Sequence, residues 1–346
     1  MTTPPPGYLA LHHSGDLARR AARLERLLDP CTLCPRQCGA HRLAGETGAC
    51  GAGARAAVAR ACSHRGEEPP LSGSRGAGTI FFAGCNLGCV HCQNHQISRG
   101  CEGATPSDAR AIAALMLDLQ DQGVHNIALV TPSHVVPQIL AALDLAAGRG
   151  LRLPLVYNTA AYERLAVVRE LDGVVDVYLP DLKYGDDRSA ARLLLPLAQP
   201  LAHPLAHPLA QPPATVTDYV ARSQRAVREM ARQVGRLRLD DEGVARRGLI
   251  VRHLVLPDDL AATGSVLRFV AGALGPETAL SLMAQYRPPP DLALPSPLSR
   301  PLHSGEYDRA TALLEDLGLR EGWVQSLDAA DSYVPDFDAP THPFER

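Results

Sequence analysis

Six short apolar runs, at 79–83, 126–131, 154–158, 174–180, 249–256 and 279–285, are separated mostly by stretches with helical spacing. Strands that alternate with helices do not pair as hairpins, so six βα units imply a parallel sheet with helices packed on its outside. An incomplete (β/α)6 barrel of parallel strands and a doubly wound open sheet both satisfy this α/β alternation. With 346 residues, one barrel-like domain with additions fits as well as two small domains.

The remaining segments read as additions. Residues 1–30 hold a Pro-rich start and a helix over Ser14 to Leu28, with Leu17, Ala21, Leu24 and Leu28 on one face. A Cys-rich segment at 31–77 precedes the parallel-sheet unit at 78–290, and 291–346 reads as a C-terminal helix and tail. Thr105-Pro106-Ser107-Asp108 reads as a helix start with proline in its first turn, and Asp258-Asp259 as the opening of a later helix. Proline at every fourth position from Pro196 to Pro212 removes the donors a helix needs, so 194–213 reads as an extended loop. His203 and His207 within it have metal-pair spacing but no cysteine or carboxylate beside them.

The chemistry concentrates just past the first apolar run. Cys85-Asn86-Leu87-Gly88-Cys89-Val90-His91-Cys92 places three thiols in a C-x3-C-x2-C spacing. A [4Fe–4S] cluster is normally held by four cysteines, so a compact triplet leaves one iron open to a small molecule. The loop leaves the end of a strand, where α/β proteins place their ligands. A zinc knuckle or a group of structural thiols is the alternative. Upstream, Cys31-x2-Cys34-x3-Cys38-x11-Cys50 is a four-thiol set that would saturate either zinc or a second iron–sulfur cluster. Cys62 and Cys101 read as packed thiols.

Of 34 Lys and Arg residues only Lys183 is lysine. It stands at the end of the 174–180 run, where a compact ammonium can do what a planar guanidinium cannot. Arg252 falls in a run read as buried and needs an anionic partner, either a ligand carboxylate or an internal acid. His253 would point to the opposite face. A net charge of −3 gives no footprint for nucleic acid. The start lacks a signal-peptide pattern and no apolar run approaches a membrane span, so the expectation is a cytoplasmic protein with reduced, metal-ligating cysteines.

The cluster loop resembles that of the radical S-adenosylmethionine (SAM) superfamily, with His91 where an aromatic residue is usual. Further blocks resemble proteins related to pyruvate formate-lyase activating enzyme. They include 67–73, 126–134, Val156-Tyr157-Asn158-Thr159, Tyr178-Leu179-Pro180-Asp181-Leu182-Lys183, 247–257 and 281–286. The match is closest to the PflX-type branch with an N-terminal Cys-x-x-Cys-Pro-Arg segment, and it covers Leu28 to about Gln325.

The resemblance implies a partial (β/α)6 barrel and a [4Fe–4S] cluster on Cys85, Cys89 and Cys92. SAM would bind the open iron and be cleaved to a 5′-deoxyadenosyl radical that abstracts hydrogen from a substrate, in activating enzymes a glycine of a partner protein. It places Lys183 on the SAM carboxylate, and Asn158, Thr159 and Asp181 around a monovalent cation, although aspartate is usual where Asn158 stands. Thr131, in Val130-Thr131-Pro132-Ser133-His134, replaces a glycine-rich turn that meets the SAM amine. Arg252 would join the cofactor-binding set through a carboxylate. A reductant such as flavodoxin or ferredoxin is implied. The competing readings are a radical SAM enzyme acting on a small molecule and an iron–sulfur electron carrier, against which the six βα units and Lys183 argue.

Overall fold

The computed structural model describes residues 4–194, 216–289, 292–331, 334–339 and 342–344. The proline repeat, with His203 and His207, lies outside the described residues. Ten strands make one sheet among those described: β1 (Ala56–His64), β2 (Ala77–Phe82), β3 (Thr105–Ser107), β4 (Ile127–Val130), β5 (Leu155–Thr159), β6 (Val177–Pro180), β7 (Arg238–Leu239), β8 (Ala245–Leu254), β9 (Ala279–Met283) and β10 (Gly322–Val324). Their order is β10-β9-β8-β6-β5-β4-β2-β1-β3, with β7 paired to β8.

From β2 through β10 every neighbour along this path is parallel. The strands are laid down in one direction, with no reversal of the kind that defines a doubly wound sheet. That order decides between the two architectures compatible with the alternation: the sheet winds one way, as a barrel does. The described path is open, with β3 and β10 at its ends.

Both faces are apolar because both are covered. Ala128, Val156, Leu179, Ile250 and Ala279 pack together on one face. Ile127, Leu129, Leu155, Val251 and Leu280 face the other way, against helix residues such as Ile112, Leu140, Val167 and Met230. Among the described residues no helix is long and apolar enough to cross a membrane.

Several local expectations are corrected. Thr105–Ser107 is strand β3, paired with Ala56–Val58, and the helix begins at Ala109 with Asp108 as its N-cap, accepting from Ala111 N at 2.9 Å. Pro257–Asp259 is a single tight turn. The helix proper is Thr263–Phe269, and Asp259 caps it by accepting from Thr263 N at 2.8 Å. The 31–77 segment contributes β1, and the 291–346 segment contributes β10, so boundaries at 77 and 291 cut through one sheet. The N-terminal helix is Asp16–Glu25, with Leu17, Ala21 and Leu24 buried, and a second helix, Tyr8–His13, precedes it.

His134, after β4, is buried and its Nε2 bonds Ala83 O at 2.8 Å, which ties the β4 turn to the end of β2. Its Nδ1 is buried without a partner among the described residues. Burial pushes its pKa down to about 4. The unfolded chain takes up this proton near the ordinary value, so stability held above pH 6.5 is lost as pH falls toward 4, by about 3 kcal/mol. His134→Gln is expected to flatten that acid limb in denaturant titrations at pH 7 and pH 4.5; an unchanged slope would remove His134 as its cause.

Candidate functional site

Parallel strands in register end together. Phe81 lies opposite Val130, Val130 opposite Asn158, and Thr159 opposite Pro180. The residues that follow these ends therefore meet at the C-terminal mouth of the sheet, the face where such folds carry ligands. A pocket of about 600 Å³ opens there, within the usual range for small-molecule sites. Cys85, Cys89, Cys92, Thr131, Asn158, Thr159, Asp181, Lys183 and Arg252 all line it. These positions, spread over 168 residues of sequence, share one cavity.

The triplet loop is held from several sides. Val90 N donates to Leu193 O at 2.9 Å, Asn86 Nδ2 to Tyr162 O at 2.8 Å, and Cys85 N to Cys50 O at 3.2 Å. Gly84 has φ +80°, and a Cβ built on it would stand 2.4 Å from Cys50 O, so only glycine admits this close crossing. Leu87 N donates to Cys85 Sγ at 3.3 Å, a bond that favours the thiolate.

Burial pushes the Cys89 thiol up to about 12, with Lys183 opposing it. Burial likewise raises Cys85. Metal-free Cys85 and Cys89 stay protonated at neutral pH, and ligation must expel those protons. His91 is buried, edge-on to Tyr184 and Tyr286, and burial together with Lys183 holds its pKa down to about 3. It packs as a neutral ring in the place of an aromatic one.

Lys183 Nζ donates to Asp181 Oδ2 at 2.6 Å. Burial works against its charge, but Asp181 outweighs burial and raises its pKa. Tyr219 fixes the backbone here by accepting from Lys183 N at 2.9 Å and donating to Asp181 O at 3.2 Å. The other Asp181 oxygen, Oδ1, is buried with no partner among the described residues.

Arg252 lines the pocket and is paired with internal acids. Its Nε bonds Glu68 at 2.7 Å, and its Nη2 bonds Glu68 at 2.5 Å and also Glu67. Of the two kinds of anionic partner open to it, the structure shows the internal one. His253 faces the opposite side, bonded to Leu182 O and Thr263 Oγ1.

Thr159 is also partly committed: its hydroxyl donates to Glu163 Oε1 at 2.6 Å, beside donations from Ser133 at 2.5 Å and Tyr157 at 3.2 Å. Glu163 is buried, and burial raises its pKa despite these bonds. Thr131 adopts φ +58°, the conformation a glycine would take without strain. Asn158 is buried at the pocket wall.

Other site residues escaped sequence reasoning. Gln93 Nε2 donates to Gln285 O at 2.8 Å, and Gln325 Nε2 to Gln285 Oε1 at 2.8 Å, an amide chain that ties the triplet loop to β9 and to the residue after β10. Phe344 stacks on His64 with ring centroids 4.0 Å apart and lines the pocket. Polar spacing gives no signal for an amide relay between such distant positions.

No protein-family model matches the chain. An uncharacterized protein of Methanocaldococcus jannaschii is 28% identical over 263 residues, 74% of this chain and 66% of that protein, so the chain spans just under two thirds of its relative. Solved structures with a similar course include a radical SAM methyltransferase from Sphaerobacter thermophilus. It is 16% identical with a TM-score of 0.44, covering 73% of this chain and 69% of that one. The FeFe-hydrogenase maturase HydG from Carboxydothermus hydrogenoformans is 15% identical with a TM-score of 0.44, covering 72% of this chain and 52% of that one. SuiB of Streptococcus suis, solved with precursor peptide SuiA, is 12% identical with a TM-score of 0.41, covering 75% and 51%. These likenesses are distant, and function rests on the site itself.

Proposed function

We propose that this chain is a radical SAM enzyme that abstracts hydrogen from its substrate, a glycine of a partner protein in the activating-enzyme reading. The observation that carries the proposal is the meeting of three unpaired thiols and the sole lysine in one pocket at the C-terminal mouth of the sheet.

The donor set fits the cofactors. Three cysteines leave one iron of a four-iron cluster without a protein ligand. Among the described residues no three His, Cys, Asp or Glu side chains are focused on one point as around a single ion, and cluster thiolates each bind a different iron. When bound, the cluster and SAM supply reductive cleavage of the sulfonium to a 5′-deoxyadenosyl radical, with the electron coming from a reductant such as flavodoxin or ferredoxin.

The chain's own residues do the rest. Cys85, Cys89 and Cys92 fix three irons, and Lys183, oriented by Asp181, offers its ammonium to the SAM carboxylate. Asp181 Oδ1 and the Asn158 amide are open to a cation or to the SAM amine. Leu87, Tyr184 and Tyr286 pack around the triplet and keep water from it. A radical SAM enzyme acting on a small molecule would use the same groups.

SAM titration of the anaerobically reconstituted protein tests the reading. Lys183→Arg lengthens and flattens the head group beside Asp181, so affinity is expected to fall about tenfold, or about 1.4 kcal/mol, with the cluster intact. Equal affinity in the two proteins would leave Lys183 without a role in binding SAM.

A further inference from the structure

We propose that Cys31, Cys34, Cys38 and Cys50 hold a second metal centre through four thiolates, with the buried Arg42 guanidinium as its counter-charge. Arg42 is only 1% exposed. Its Nε and Nη2 donate to Gly53 O at 2.9 and 2.8 Å, and its Nη1 donates to His134 O at 2.9 Å and reaches Cys31 Sγ at 3.9 Å. Among the described residues no carboxylate pairs with it. A buried cation facing neutral carbonyls carries a desolvation cost, which an anion must offset. The thiols are the groups placed to become that anion.

Three of the sulfurs are placed by direct contacts: Cys31 Sγ lies 3.9 Å from Arg42 Nη1, and a Cβ built on Gly48 would touch Cys38 Sγ at 3.4 Å and Cys50 Sγ at 3.5 Å. Cys34 is buried on the turn that follows Cys31. Four thiolates around a [4Fe–4S]²⁺ core carry a net charge of −2, which the Arg42 guanidinium offsets in part, whereas no three such side chains among the described residues are focused on one point as a single zinc would need. The centre adjoins the triplet loop without sharing its ligands. Cys50 O receives Cys85 N, and Arg36 donates to Asn86 O at 2.8 Å and Leu87 O at 2.9 Å, so a filled centre braces that loop.

The test uses the full chain with Cys85, Cys89 and Cys92 all changed to alanine, purified anaerobically from medium containing iron and zinc. Removing the triplet separates this proposal from the SAM reading. About four irons with sulfide per chain are expected to remain. Adding Cys34→Ser should strip that metal. In the same background Arg42→Met should release metal to a chelator at least tenfold more readily, while Arg42→Lys, which keeps the charge, should release it less readily than Arg42→Met. A folded triplet-free chain without metal, metal that survives Cys34→Ser, or Arg42→Met indistinguishable from the parent would each overturn the proposal. If the triplet-free chain does not fold, the parent is analysed: about eight irons supports the second centre, and about four irons refutes it.

Discussion

Alanine at Cys85, Cys89 or Cys92 is expected to abolish SAM cleavage, by more than about a hundredfold, and to lower the iron held at the triplet. The loop holds three sulfurs for three irons, so each loss frees a second iron. The Cys38 and Cys50 sulfurs face Gly48, where a built Cβ would stand 3.4 and 3.5 Å from them. The neighbouring His91 is buried against Tyr184 and Tyr286 and is fixed by its packing. Iron analysis and a 5′-deoxyadenosine assay on anaerobically reconstituted variants check this, and full cleavage in any one variant would strike that cysteine from the ligand set.

The second large effect is on stability. Arg252 is paired with Glu67 and Glu68, with side-chain exposures of 13%, 8% and 5% respectively. Burial alone would raise the Glu67 pKa, but Arg252 reverses this and holds it below the usual carboxylate range. Arg252→Ala leaves two buried carboxylates facing each other, and the expected loss is about 3–5 kcal/mol in denaturant unfolding at neutral pH. Adding Glu67→Gln and Glu68→Gln should recover much of that loss, because the orphaned charges are removed. A loss below about 1 kcal/mol for Arg252→Ala would mean that water reaches the pair. The sign with pH is also fixed: a depressed Glu67 gives stability above its unfolded pKa, which is lost as pH falls through its folded value.

The parallel sheet was legible because each strand is buried on both faces and so reads as a short apolar run between helical patterns. Strands without that signature were missed. β1 has five partly exposed residues and Arg60 within it, and β10 is three residues with an exposed Val324. Thr105–Ser107 carries a helix-start pattern, yet pairing with Ala56–Val58 overrides it.

In the candidate site, Cys85, Asp181 and Lys183 all line one pocket, and their placement at strand ends was legible. Partners from distant segments were not. Nothing in the spacing of Glu67 and Glu68 shows that they neutralise Arg252, and nothing local to Glu163 shows that Ser133, Tyr157 and Thr159 converge on it. Phe337 and Phe344 pack on Phe81, with ring centroids 5.1 and 6.1 Å away, from a C-terminal segment whose sequence has no periodic pattern.

The most direct test of the central claim is a single assay on the parent chain. The protein is reconstituted anaerobically with iron and sulfide, mixed with SAM and dithionite, and analysed by chromatography for 5′-deoxyadenosine and methionine. The account predicts equimolar formation of the two products, dependent on both dithionite and the cluster. A chain that holds a reducible cluster and leaves SAM intact would contradict it, and would make this protein an electron carrier instead.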